Sequence, residues 1–291
     1  METNKIIHLY NRFGFGLNAI DIKKLASISF EKKLSEESIE LLKMDFSEIN
    51  QIENRAKSAE KNKALRIANK NLFYELNATW MKQMISSENI IQEKMNLFWH
   101  HHFACVIKDP NYAQQFTNII RQNATGSFKT MLLEISKSAA MIDFLHTKQN
   151  RKTHPNEDFA RELCELFALG RDQGYTENDI KEIARCFTGW NHDSKGNFLI
   201  NTKQRDFGNK TIFGKTSNFS GEDVINLILE KKSCAYFVCE NMYKYFVNPI
   251  ANDLHVRELA ITFYENEYDI KKVIIQIANS DWFYAENNVL S

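Results

Sequence analysis

The residues best suited to chemistry lie in two short runs. Residues 98–103 read Phe-Trp-His-His-His-Phe, and residues 155–165 read Pro-Asn-Glu-Asp-Phe-Ala-Arg-Glu-Leu-Cys-Glu. Imidazole titrates near neutral pH and is a common metal ligand, so His100 and His102 are candidate ligands or proton relays. Glu157 and Glu162 are candidate general bases, and Arg161 carries the planar fork that holds a carboxylate or an anionic substrate group. Asp158, Glu162 and Glu165 fall at i, i+4 and i+7, one stripe of a helix with Arg161 beside it. Such a stripe can bind a cation or hold an acid beside a base. It is equally the ordinary solvated face of a surface helix, where each ion pair is worth only about a few tenths of a kcal/mol.

The elements that carry these runs read as helices. Placed at about 100° per residue, Ile91, Met95, Phe98, Cys105 and Val106 form an apolar stripe with His102 in its middle. His100 falls on the opposite side and His101 on a third face, so an unbroken helix cannot bring His100 and His102 to one metal. Extended backbone from a kink near Trp99 would point both rings the same way. A buried histidine hydrogen-bonded to a neighbour is the plainer reading of His102. The second run opens a helical hairpin over 153–190. Asn156 is a candidate N-cap, Gly170 a left-handed C-cap, and Thr176-Glu177-Asn178-Asp179 a capping-box start for a helix that stops at Gly189.

The rest of the chain is helical in character, with low glycine (10) and proline (3). Gly14, Gly16 and Ala19 fit GxGxxA, but no βαβ alternation follows, so a turn into the next helix, with Asn18 as a possible cap, outweighs a dinucleotide loop. Helix is expected almost continuously from Phe30 to Met84. Within it, residues 53–70 carry Arg55, Lys57, Lys61, Lys63, Arg66 and Lys70 against Glu53 and Glu60. That is a surface for an acidic partner or a solvated face, and the neutrality of the whole chain favours the second. Two or three helices follow over 111–146. Phe198–Ile200 and Thr211–Phe213 are β-prone pieces among turn residues. From Ser220 the chain is helical again through Val224–Leu229, Tyr236–Phe246, Leu254–Tyr264 and Ile270–Ala278. The expected fold is all-α, one large multi-helix domain over 1–291, with a small β-hairpin or irregular excursion near 197–214.

Thirty-seven basic and 37 acidic residues leave no formal net charge, so nucleic acid is not an expected partner. Five cysteines with no CxxC argue against a zinc knuckle or a disulfide framework. No run approaches 18 apolar residues, so no membrane span is expected, and the N-terminus lacks a signal-peptide core, which implies a cytoplasmic protein as written.

The segments PNEDFARELCELFALG and GYTENDIKEIARCFTGW, with HLYNRFGFG, FWHHHF and RDFGNKTIFG in the same order, resemble the bacterial domain of unknown function 1800 family. The likeness spans about Ile6 to Tyr284. Carried residue by residue, it marks His8, Arg12, Trp99, His100, His102, Asn156, Glu157, Arg161, Glu162, Glu165, Gly170, Tyr175, Gly189 and Trp190. Many members look exported and are encoded beside proteins resembling sulfatases or phosphatases, which implies a partner protein encoded nearby. This chain lacks the export signal, has Arg205 where members often have His, and stops at Ser291 where members usually continue, so final helices are expected to be missing. The resemblance implies one polar site. His100, His102, Glu157 and Glu162 are its catalytic candidates, and Asn156, Arg161, Glu165, Arg12 and His8 its binding candidates. No residue is assigned to a metal and no cofactor follows. The expected function is an enzyme with a His/Glu/Arg centre, such as a metal-assisted hydrolase. The alternative is a non-catalytic helical scaffold or accessory protein for a neighbouring enzyme, with Arg161–Glu pairs as structural clamps.

Overall fold

A computed structural model describes residues 3–16, 22, 23, 25, 28–35, 39–53 and 59–285. Ala19, Asn18, Arg55 and Lys57 lie outside the described residues. The chain is built almost wholly of helices: α1 (Thr3–Arg12), α2 (Phe30–Ser35), α3 (Ser47–Glu53), α4 (Ala59–Ser86), α5 (Ile90–His102), α6 (Pro110–Asn123), α7 (Phe128–Lys137) and α8 (Ala139–Phe144) come first. Then follow α9 (Asp158–Glu162), which continues as a π-helical stretch over Leu163–Ala168, α10 (Glu177–Cys186), α11 (Gly221–Leu229), α12 (Lys232–Phe246), α13 (Asp253–Glu265) and α14 (Ile270–Asn279). The stretch read as nearly continuous helix from Phe30 to Met84 is divided. Residues 39–46 form no regular element, and α2, α3 and α4 are separate.

Side-chain caps fix where these helices begin. Asp109 accepts from the backbone N–H groups of Asn111 and Tyr112, with Pro110 supplying the first helical φ. Ser127 and Ser138 do the same for α7 and α8. Thr176 with Asp179, and Ser220 with Asp223, form reciprocal capping boxes with Asp in place of the usual Glu.

One large apolar cluster runs from Ile6 of α1 to Phe283 near the end of the described chain, with Trp99, Phe103, Phe128, Phe159, Phe187 and Phe246 inside it. A small second cluster, Leu42, Leu76 and Ala113, joins α4 to α6. Helix α5 is buried on two sides. Ile91, Met95 and Phe98 enter the large core, while Gln92, Glu93 and Asn96 turn towards α6, all fully buried. The pair Glu93–Arg121 closes that second face.

The β excursion is two antiparallel hairpins, β1 (Trp190–His192) with β2 (Phe198–Ile200) and β3 (Lys210–Ile212) with β4 (Lys215–Ser217). The two β-prone pieces therefore pair with neighbours and not with each other. Phe213 and Gly214, both at positive φ, make the tight turn of the second. Buried Lys210 holds it down by donating to Asp206 O (2.9 Å), Asn218 Oδ1 (3.0 Å) and Phe219 O (3.2 Å).

Candidate functional site

Arg161 is the centre of the ion pairs on the α9–α10 hairpin. Its two terminal nitrogens donate to both oxygens of Glu177 on α10, at 3.0 and 2.8 Å. Within its own helix it reaches Glu157 (3.1 Å) and Glu165 (3.4 Å), one turn before and one turn after. Glu165 also accepts from Arg171, at 3.3 Å. Hydrogen bonds to Glu177 foremost hold the Arg161 pKa above its ordinary value. The N-cap of α9 is Glu157, with no side-chain cap bond, and not Asn156 as expected; the Asn156 side-chain oxygen, one residue earlier, accepts from Asp158 N at 3.0 Å. Asp158 in turn faces His146, at 3.2 Å. Buried Asn150 ties the start of this segment to α10. Its amide donates to Ala184 O (2.7 Å) and its oxygen accepts from Asn156 N (3.0 Å).

Glu162 is left without an ion pair or hydrogen bond among the described residues. It is half-buried, and burial, then the carboxylates of Glu165 and Asp158, raise its pKa. The stripe of carboxylates thus exists in space, but its members take different partners.

The histidine run belongs to an unbroken helix, and its three rings take separate surroundings. The ring of His102 lies among Phe98, Trp99, Phe103, Phe128 and Phe237. Its Nε2–H donates to Phe167 O at 2.9 Å. Burial is the main cause that pushes its pKa down to about 4, so the ring is neutral. The carbonyl it meets belongs to the π-helical stretch, where Leu169 N and Gly170 N both donate to Cys164 O, at 2.9 and 3.1 Å. A π turn widens the helix and leaves backbone carbonyls to be satisfied from outside. His102 is what joins the histidine run to the α9 segment, through backbone and not through Glu157 or Glu162.

His100 lies between Trp80 of α4 (ring centroids 4.9 Å) and Phe116 of α6 (5.9 Å), and burial lowers its pKa. Asn96, one turn earlier, is fully buried, and neither end of its amide finds a partner among the described residues. His101 is exposed. His8 packs on Phe283 (4.6 Å) and Tyr284, and burial, then Arg12, lower its pKa. Arg12 is half-buried, with its own pKa lowered by burial. Among the described residues no group of three or more His, Cys, Asp or Glu side chains could hold a metal ion.

Two features escaped the sequence reading. His192 Nε2 meets Asp143 at 3.0 Å, Nδ1 meets Asp193 O at 2.7 Å, and Lys148 also binds Asp143. Both ring nitrogens of His192 thus face oxygen atoms, and nearby Asp143 adds to the burial that pushes the Cys105 thiol up to about 12. Nothing in the local sequence pairs Asp143 with a residue 49 positions away. The second is a cleft of about 720 Å³ between the end of the π stretch (Leu169, Gly170, Arg171) and helices α12 and α13, walled by Tyr236, Phe237 and Ile261. The side chain of Phe237 separates this cleft from His102.

Gly170 is required at that junction. Its φ is +86°, and a Cβ there would lie 2.9 Å from the Phe237 ring. Gly170→Ala is expected to lower stability by about 2 kcal/mol, from left-handed strain and from displacing that ring. An unchanged denaturant midpoint would mean the turn relaxes freely.

The family described as "Protein of unknown function (DUF1800)" matches residues 8–290, and the chain belongs to it. No curated protein and no solved structure matches the chain.

Proposed function

We propose that this member of the DUF1800 family is a helical accessory protein whose motif residues act as structural clamps. The observation that carries the reading is the saturation of Arg161 by Glu157, Glu165 and Glu177. With both terminal nitrogens engaged by three carboxylates, the two-pronged edge that would grip an anionic substrate group is already taken. His102 supports the same reading, since its proton is committed to a backbone carbonyl in an aromatic enclosure. The clamped hairpin fixes one wall of the cleft beside Gly170.

A second reading keeps the enzyme. Half-buried Glu162, with its raised pKa and no hydrogen-bond partner among the described residues, suits a general acid, and the Asn96 amide, one turn before His100 and likewise unpaired among them, is unexplained by packing. Two variants separate the readings. Arg161→Ala is expected to cost about 1 kcal/mol in a urea titration, modest because the cluster is partly solvated. Glu162→Gln is expected to leave stability unchanged and to have no activity to lose. Turnover of any ester, amide or phosphoester that Glu162→Gln abolishes would overturn the accessory reading.

A further inference from the structure

Helix α4 is packed on one face only. Ala68, Leu72 and Leu76 are buried, while Ile67, Tyr74, Met81 and Ile85 are 51%, 63%, 58% and 83% exposed. These four are large apolar side chains at spacings of seven, seven and four. On a helix they share a ridge within about 40° of arc and about 27 Å long. Exposed Lys63, Arg66, Lys70 and Lys82 flank it, against exposed Glu60 and Glu75. Lys70 lies over the Tyr74 ring. None of Lys63, Arg66 and Lys82 has a carboxylate partner among the described residues. A heptad-spaced apolar line with charged flanks is the pattern a second helix meets when it lies alongside at a shallow angle.

We propose that this ridge docks an amphipathic helix of a partner protein whose flanking positions are acidic. Charge selects this occupant over a second copy of the chain. The antiparallel register that sets Ile67 against Ile85 also sets Lys70 against Lys82, and a parallel pairing sets every cation against itself. Shape selects it over a bilayer. Helices that lie on membranes bury a broad apolar face with cations on the opposite side. Here the broad face is already inside the protein, and the cations stand beside a narrow ridge.

The test uses the full chain and two labelled synthetic three-heptad peptides, each with Leu at a and d. One carries Glu at e and g, and the other Lys. Fluorescence anisotropy should show saturable binding of the Glu peptide, weakened at high salt, and none of the Lys peptide. Tyr74→Glu/Met81→Glu, at exposed positions that leave circular dichroism unchanged, should weaken binding about tenfold or more. Lys63→Glu/Lys70→Glu/Lys82→Glu should reverse the preference to the Lys peptide. Equal binding of both peptides, no binding of the Glu peptide, or indifference to Tyr74→Glu/Met81→Glu would overturn the proposal. Co-sedimentation with phosphatidylcholine–phosphatidylglycerol vesicles of about 3:1 composition in place of peptide binding would overturn it in favour of a membrane surface. The ridge lies on a different element from the Arg161 cluster, and neither result depends on the other.

Discussion

Arg121→Met is expected to remove about 3–5 kcal/mol of stability, the largest loss of any single substitution considered. Arg121 and Glu93 are 1% and 2% exposed and form a two-pronged pair between α6 and α5. The remaining guanidinium nitrogen donates to Glu40 O at 2.7 Å, which pins the irregular segment before α3. Gln92 extends the seam by donating to the backbone oxygen of Arg121 and accepting from Thr125. Removing the cation strands a carboxylate in a site that water does not reach, and the penalty is the desolvation of an unpaired charge. The pair itself adds little over apolar packing of the same shape. Arg121→Met/Glu93→Leu should therefore recover most of the loss. Urea titrations of the three proteins measure both. A single variant within about 1 kcal/mol of the parent, or a double variant no better than the single, would contradict this account.

These same residues mark how far the sequence can be read. Caps were legible because they are local. Thr176 and Asp179 lie three residues apart and bond each other, and Gly170 takes the left-handed conformation at the end of its own helix. The i±4 partners of Arg161 were legible for the same reason. Glu177, which accepts the bidentate contact from Arg161, sits on the next helix and is brought there by the hairpin turn. The π stretch left no local signal, because the carbonyl it exposes is answered by a histidine 65 positions earlier. Gln92 and Glu93 carry no local sign of burial, because their partner, Arg121, lies on the next helix. The β-prone pieces at 198–200 and 211–213 announce strands without naming their partners, and the second strand forms one residue earlier, over Lys210–Ile212. Strand propensity is a property of a side chain on a pleated surface, and pairing depends on the turn beside it.

Acidification is expected to destabilise the fold between about pH 6.5 and pH 4, with His102 as a principal cause. In the unfolded chain its imidazole has the ordinary value of 6.5, and in the fold it lies at about 4. Between those values the unfolded chain binds a proton that the native one refuses. The unfolded state then carries more protons, so stability rises with pH and falls as pH is lowered through this window. Above 6.5 the ring is neutral in both states and contributes no slope. Below about 4 it is protonated in both, and the loss is complete. A displacement of this size corresponds to at most about 3 kcal/mol. His8, His100 and His255 are also lowered by burial and add slope of the same sign. His102→Gln isolates the share of one ring, because an amide can donate to Phe167 O without titrating in this range. Urea midpoints of parent and variant should converge as the pH falls, with the parent losing more. Parallel curves, or a His102 ring that titrates near 6.5 by nuclear magnetic resonance, would show that the ring is solvated and that the π turn is held by something else.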